Sequence, residues 1–186
     1  MAIKATHTGH CQICGSGQKL PGGRLAKHGY TVKWGFFSGV CNGSHELPFE
    51  QDKSLIEGQI DWAMDKAATL RATAVQDRQN NNPEDVWYNA YFNDYGKGGS
   101  RYQWIKTKVY ADPQIPARTV YDHPGDSRPA GPRQVGLYGE LADVASKMNG
   151  LHAAYLEKQA AELDQYVAWQ RERIANWTPA PLTPVK

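Results

Sequence analysis

The sequence predicts an α+β protein that combines an N-terminal ribbon of short hairpins, a long antiparallel helical hairpin of coiled-coil character, and a small β-rich insert at the tip of that hairpin. Three observations support this prediction. Cysteines with glycine neighbours occupy the first fifty residues, two later segments carry apolar residues at helical spacing, and an aromatic and proline-rich stretch separates those segments. The predicted parts are the ribbon at 1–48, the first helix at 49–82, the insert at 83–136, the second helix at 137–178 and a flexible tail at 179–186.

The composition is typical of a soluble folded protein. Of the 186 residues, 40% are hydrophobic and 22% are charged, and the net charge is +2. The first ten residues lack the apolar core of a signal peptide, and no run approaches the roughly 18 apolar residues of a membrane span. We therefore expect a cytoplasmic location. The first 53 residues carry six Lys or Arg against three Asp or Glu, which suits phosphate contact but falls short of the basic stripe of a duplex binder.

The first fifty residues contain a pattern typical of a zinc site. Cys11 and Cys14 are separated by two residues, and Cys41 is followed by His45 after three more. Glycine-rich turn sequence follows the first pair, which argues against a redox C-x-x-C, and the odd number of cysteines argues against a disulfide scaffold. Zinc prefers a tetrahedron of thiolate and imidazole ligands. We predict a structural Zn²⁺ held by all four residues, which makes 1–48 a zinc ribbon without an open position for catalytic water.

The fourth ligand has three rivals, which are His7, His10 and His28. His10 directly precedes Cys11, so its geometry toward the same ion is poor. His28 lies in a stretch that alternates like a strand, and we interpret it as a structural histidine of that hairpin. The segment holds few large aliphatic side chains, so a metal ion would supply stability that the small core lacks.

Two segments show the period of a helix with a narrow apolar stripe. Neither can bury its stripe alone, so we expect each to pack on the other, and self-association into a homo-oligomer through leftover stripe is the next possibility. The asparagines and proline at 80–83 end the first helix, and Pro179 ends the second. The first stripe comprises Ile56, Ile60, Ala63, Ala67, Leu70 and Ala74, and the second includes Leu141, Val144, Met148, Leu156, Ala160, Leu163 and Val167.

The insert begins with two aromatic-rich strands around a glycine-rich turn, and a proline-rich stretch that reads as irregular loop follows. Aromatic rings near basic side chains suit stacking on unpaired bases, the contact surface of a protein partner, or simply the core of the insert. All three interpretations stay open. The candidate partner contacts are Trp87, Tyr91, Tyr95, Lys97, Arg101, Tyr102, Trp104 and Lys106.

Three segments together resemble uncharacterised small proteins of bacteriophages and prophages. They are "CQICG", "GRLAKHGYTVKWGFFSGVCNGSHELPFE" and "YVAWQRERIANWTPAPLT". The resemblance covers residues 10–80 and 137–183, and it implies a phage origin, with the host cytoplasm as location, and a zinc-binding fold with Cys11, Cys14, Cys41 and His45 at the metal positions. It implies no activity.

We expect a non-enzymatic protein, because no P-loop, dinucleotide fingerprint or H-E-x-x-H motif occurs. The expected function is that of a phage accessory protein whose zinc ribbon and insert recognise nucleic acid or the host transcription and replication machinery. The alternative is a protein–protein interaction module or virion component, in which the helical hairpin is a spacer and the aromatic insert is the contact surface.

Overall fold

The computed structural model describes residues 3–31, 37–94, 99–111, 118–123 and 133–185. Within these ranges the chain forms two helices and several small antiparallel sheets, which confirms the predicted α+β class. The chain divides into two compact units. Unit 1 comprises residues 1–65 and 163–186, and unit 2 comprises residues 66–162.

Unit 1 contains two small sheets. Strand β1 (His7–His10) lies between β2 (Gly17–Lys19) and β10 (Thr183–Pro184), and β3 (Gly29–Thr31) pairs with β4 (Phe37–Val40). A short 3₁₀ turn (Pro21–Gly23) follows β2. The strand β10 corrects the expectation of a flexible tail at 179–186. Leu182 packs against the buried cysteines, and the Val185 N–H donates to the Thr6 carbonyl over 2.9 Å.

Helix α1 (Ser54–Gln79) begins five residues after the predicted start at 49. Asp52 sets this boundary, because its carboxylate accepts hydrogen bonds from the Ser54 N–H (3.1 Å) and the Ser54 hydroxyl (2.7 Å). The Gln12 side-chain oxygen accepts a further bond from the Leu55 N–H over 3.1 Å. These acceptors satisfy amide groups that the first helical turn leaves without partners.

Helix α2 (Leu141–Ile174) is shorter at both ends than the predicted 137–178. In unit 1, Ile56 and Ile60 of α1 pack with Val167 of α2, and in unit 2, Ala74 packs with Leu156. The two helices therefore meet within each unit through the predicted stripes. A single long hairpin of coiled-coil character and self-association through it stay predictions. Neither helix carries an apolar stretch long enough to cross a membrane.

Unit 2 contains the predicted hairpin, in which β5 (Val86–Asp94) pairs with β6 (Gly99–Thr107) over nine residue pairs. A three-stranded sheet follows, built from β7 (Val109–Ala111), β8 (Arg118–His123) and β9 (Arg133–Tyr138). This sheet corrects the expectation of irregular loop after the hairpin. The sequence of β8, RTVYDH, is rich in β-branched and aromatic residues, which favour strands between flanking prolines.

The core of unit 2 joins its strands to the first turns of α2. Val86 and Val109 from the strands pack with Val144 and Met148 from the helix, and all four side chains are buried. The position of the β5–β6 hairpin on α2 is therefore fixed by apolar contacts.

Candidate metal site

Three cysteines and one histidine meet in unit 1. The ligand atoms of Cys11, Cys14, His28 and Cys41 all lie within 4.8 Å of one another. The Cys11 and Cys41 sulfurs are 3.8 Å apart, and the Cys14 sulfur lies 3.6 Å from His28 Nε2. Ligands of a tetrahedral zinc ion would lie about 3.8 Å apart for two sulfurs and about 3.5 Å for sulfur and nitrogen, given metal bonds of roughly 2.3 and 2.0 Å. The cluster is compatible with a zinc site.

The first two cysteines lie on a tight turn. The Cys11 N–H donates to the Ser16 carbonyl, and the Gly15 N–H donates to the Cys11 carbonyl over 3.0 Å. Gly15 adopts a positive φ of 71°, which permits this reversal. Burial raises the pKa of the Cys11 thiol, and the N–H groups of Ile13 and Cys14 act in the opposite direction. Such donors favour the thiolate form that metal binding requires.

The turn after Cys41 passes close to the first turn. The Ser44 N–H donates to the Cys41 carbonyl over 2.9 Å, and the Gly43 N–H lowers the pKa of the Cys41 thiol against the larger, opposite effect of burial. A Cβ on Gly43 would lie 2.3 Å from the Cys11 sulfur. No other residue than glycine fits there without displacing the thiol.

His28 is held so that Nε2 faces the thiols. Its Nδ1 lies 2.8 Å from the Ala26 carbonyl, which accepts only if Nδ1 carries the proton. That tautomer leaves the Nε2 lone pair directed at the cluster, 3.6 Å from the Cys14 sulfur. The backbone also fixes this residue, because its N–H donates to the Ser44 hydroxyl and its carbonyl accepts from the Cys41 N–H.

The structure corrects the predicted fourth ligand, because His28 and not His45 joins the cysteines. His45 is exposed, and its φ of 68° lies in the left-handed region. Its N–H donates to the Leu25 carbonyl, and its carbonyl accepts from Arg24. The chain thus reverses after the Cys41 turn, and the side chain of His45 lies outside the cluster.

The register of the β3–β4 hairpin identifies His28 as the histidine of the cluster, which the spacing of residues along the sequence did not. His28 directly precedes β3 and Cys41 directly follows β4, and Gly29 pairs with Val40. Two residues that flank a hairpin at equal register lie opposite each other, and here the Cys41 N–H donates to the His28 carbonyl over 2.9 Å. The alternating stretch at 23–39 predicted a hairpin that contains His28, and the bounds of its strands place His28 and Cys41 at the two ends.

The three thiols differ in their tendency to ionise. Burial raises the pKa of Cys11 to about 12 and also raises the pKa of Cys41. Burial acts in the same direction on Cys14, but hydrogen bonds from the hydroxyl and N–H of Ser16 and from the Cys11 thiol outweigh it and lower its pKa to about 7. Three ionised thiols this close repel one another, so a cation is needed to hold them together as thiolates.

The predicted partner contacts separate into two groups. Trp87 and Trp104 are half-buried, and both rings pack on His152 of α2 at centroid distances of 4.1 and 4.9 Å. Tyr91 and Tyr102 are instead exposed. Lys106 lies 2.7 Å from Asp85. Of the remaining predicted contacts, Arg101 lies in β6 opposite Phe92, while Tyr95 and Lys97 lie outside the described residues.

A small polar network supports the two tryptophans. Asp77 accepts a hydrogen bond from the Trp87 indole over 3.1 Å, and its second oxygen lies 2.7 Å from His152 Nδ1. The Trp87 N–H donates to Asn149, which in turn donates to the Asn80 carbonyl. These contacts orient the β5–β6 hairpin on the helices of unit 2.

Comparisons with protein-family models, curated proteins and solved structures find no match. The phage origin implied by the sequence resemblance therefore stays a prediction, and function must be argued from the sites themselves.

Proposed function

We propose that the protein binds one structural Zn²⁺ through Cys11, Cys14, His28 and Cys41. The observation that supports this proposal is that the four ligand atoms lie within 4.8 Å of one another, with an S···S distance of 3.8 Å and an S···N distance of 3.6 Å that suit tetrahedral zinc. Thiolate and imidazole ligands select zinc over Mg²⁺ and Ca²⁺, which prefer oxygen. Since four protein ligands complete the tetrahedron, the role of the ion is to stabilise the fold of unit 1.

Metal content tests this proposal, with two histidine variants as a matched pair. The chain is expressed with ample zinc and analysed by mass spectrometry, and Co²⁺ is titrated into the metal-free form. We expect one ion per chain and the absorption bands of tetrahedral thiolate coordination. His28→Asn keeps a donor for the Ala26 carbonyl but lacks Nε2, so it is expected to weaken cobalt binding at least about tenfold.

His45→Asn is the control, and it is expected to bind cobalt like the unchanged protein. An unchanged protein that holds no metal overturns the zinc site. If the His45 variant loses cobalt binding and the His28 variant keeps it, the proposed ligand His28 is wrong. His45, the ligand predicted from spacing, then takes its place.

We further propose that the exposed tyrosine pair of the β5–β6 hairpin stacks on unpaired bases of nucleic acid. Tyr91 and Tyr102 form a cross-strand pair with ring centroids 5.0 Å apart, and Tyr102 is 71% exposed. Exposed rings on a sheet are the usual platform for base stacking. Lys106 is paired with Asp85, so stacking rather than phosphate neutralisation supplies most of the affinity. The salt dependence is therefore expected to be shallow.

Fluorescence anisotropy with labelled single-stranded DNA and RNA of mixed sequence tests this second proposal. Tyr102→Ala is expected to weaken binding about tenfold, since one stacked base contributes roughly 1–3 kcal/mol. Trp62→Ala, an exposed aromatic change in α1, is the control and leaves affinity unchanged. Absence of binding at low salt overturns the nucleic-acid proposal and favours the alternative, a contact surface for a protein partner.

A further inference from the structure

The last turns of α2 contact the backbone of the first cysteine turn. Arg173 donates through Nη1 to the Gln12 carbonyl over 2.6 Å and through Nη2 to the Cys11 carbonyl over 3.2 Å. Gln170, which is fully buried, donates through Nε2 to the Ile13 carbonyl over 3.2 Å. Two side chains about 160 positions away in sequence therefore hold three successive carbonyls of the turn.

These contacts act on the peptide units that join the two cysteines of the turn. The peptide between Gln12 and Ile13 has its carbonyl on Arg173, and the next peptide has its carbonyl on Gln170. The N–H groups of the same two peptides belong to Ile13 and Cys14, and both lower the pKa of the Cys11 thiol. A hydrogen bond accepted by a carbonyl polarises the amide and strengthens the effect of its N–H. Each side chain thus fixes one peptide beside the Cys11 thiol.

The guanidinium is fixed in place by its surroundings. It lies 4.6 Å from the centre of the Phe49 ring and 4.7 Å from the centre of the Trp169 ring. Its Nη1 also donates to the Gln170 side-chain oxygen over 2.7 Å, which orients the amide of Gln170 toward the Ile13 carbonyl. Contacts with the Phe49 and Trp169 rings hold the planar guanidinium in the orientation that reaches the carbonyls of both Cys11 and Gln12.

We propose that Arg173 and Gln170 are positioning residues of the metal site, which hold the peptides of the Cys11–Cys14 turn in the orientation that keeps the sulfurs of both cysteines in the cluster. This inference rests on the proposed zinc site. Zn²⁺ with three thiolates and a neutral imidazole carries a net charge of about −1, so the positive guanidinium beside the turn also offsets that charge. Metal retention is therefore controlled from the end of α2.

The rate of zinc loss tests the proposal. Zinc-loaded protein is mixed with excess 4-(2-pyridylazo)resorcinol, and transfer of the ion is followed by absorbance. Arg173→Met is expected to release zinc about 10- to 100-fold faster, the usual range for groups that orient metal ligands. Arg173→Lys keeps the charge but cannot span both carbonyls, and it is expected to remain at least about fivefold faster than the unchanged protein.

Arg171→Met is the matched control, because Arg171 lies two positions away on the same helix, is exposed and contacts Met64 instead of the turn. It is expected to release zinc at the unchanged rate. Gln170→Glu provides a second variant if Arg173→Met does not fold, since glutamate keeps the oxygen that accepts from Arg173 but loses the donor to Ile13. It is also expected to release zinc faster.

A rate for Arg173→Met within twofold of the Arg171 control overturns the positioning role and leaves the zinc site intact. If Arg173→Lys releases zinc at the unchanged rate, the charge of the side chain alone accounts for the effect. That result overturns the claim that the guanidinium must span both carbonyls. An unchanged protein that carries no zinc overturns both this inference and the proposed function, so the two failures are distinguishable.

Discussion

At the scale of single residues, Gly43 has the least room for change near the metal site. A Cβ at this position would lie 2.3 Å from the Cys11 sulfur, closer than any contact that a relaxed structure tolerates. We predict that Gly43→Ala displaces the thiol and weakens cobalt binding at least about tenfold, which a competition titration measures. Gly150→Ala in α2 is the control, because a Cβ there meets nothing within 4 Å. Unchanged affinity for Gly43→Ala would contradict the geometry of the two turns.

The ionisation of the thiols predicts how metal affinity changes with pH. Cys11, with a pKa of about 12, and Cys41, with a raised pKa, keep their protons at neutral pH, while Cys14 loses its proton near pH 7. Zinc must displace each proton still bound, and each contributes about a tenfold change in affinity per pH unit. Affinity therefore rises with pH.

The thiols are expected to contribute a slope of three protons below about pH 7 and of two above it, because Cys14 no longer needs deprotonation there. Cobalt competition at pH 6, 7 and 8 measures this change. An affinity that does not rise between pH 6 and 7 would contradict the burial of the thiols.

The role of a residue could be predicted from the sequence where its side chain suits few functions. Cysteines beside glycines indicate a metal site, and all three proved to lie together. The histidine was wrong because the sequence offers His28 and His45 at plausible spacings, and only the pairing of β3 with β4 decides between them. Arg173 and Gln170 lie too far along the chain for spacing to indicate a role.

At the scale of elements, the short strand β10 depends on an apolar anchor. Leu182 packs beside the buried cysteines, and Thr183 pairs with Thr8 of β1. We predict that Leu182→Ala lowers the free energy of unfolding of the zinc-loaded protein by about 1–2 kcal/mol, less than the roughly 2–5 kcal/mol of a buried leucine, because the side chain is half-buried. Urea denaturation measures this loss.

Val185→Ala is the control for this change, since Val185 is exposed and the N–H that bonds Thr6 is retained. It is expected to alter stability by less than about 0.5 kcal/mol. Equal effects of the two substitutions would contradict the anchoring role of Leu182.

Helices and the main hairpin were predictable because their signals are local and periodic. Apolar spacing indicated α1 and α2, and the aromatic strands around a glycine-rich turn indicated β5 and β6. Their ends were less predictable, since α1 begins where Asp52 and Gln12 supply acceptors. Strand β10 gave no local signal, because its stability comes from pairing with β1 at the other end of the chain.

At the scale of the whole molecule, the metal ligands belong to one unit. Cys11, Cys14, His28 and Cys41 all lie in unit 1, whereas the core around Val86 and Met148 lies in unit 2. We predict that chelation of the metal increases hydrogen exchange of amides in residues 7–50 while residues 86–94 keep their protection. A structural zinc contributes on the order of 10 kcal/mol of apparent binding energy in small modules, so the effect on unit 1 is expected to be large.

Hydrogen exchange with mass spectrometry compares zinc-loaded and chelated protein, and a chelated sample reloaded with zinc is the control for reversibility. Uniform loss of protection in both segments would contradict a metal effect confined to unit 1. The division itself was only partly predictable, since the sequence suggested a ribbon, two helices and an insert but gave no sign that each helix contributes to both units.

The pairing of β1 with β10 has a consequence for synthesis on the ribosome. The proposed ligands Cys11, Cys14, His28 and Cys41 leave the exit tunnel well before Arg173, which holds the first turn, and Thr183, which pairs with β1. Until then the nascent protein carries an open strand edge, which invites pairing with other chains. Emergence of residues 173–184 from the ribosome is therefore the step that covers this strand edge and protects the newborn chain from aggregation.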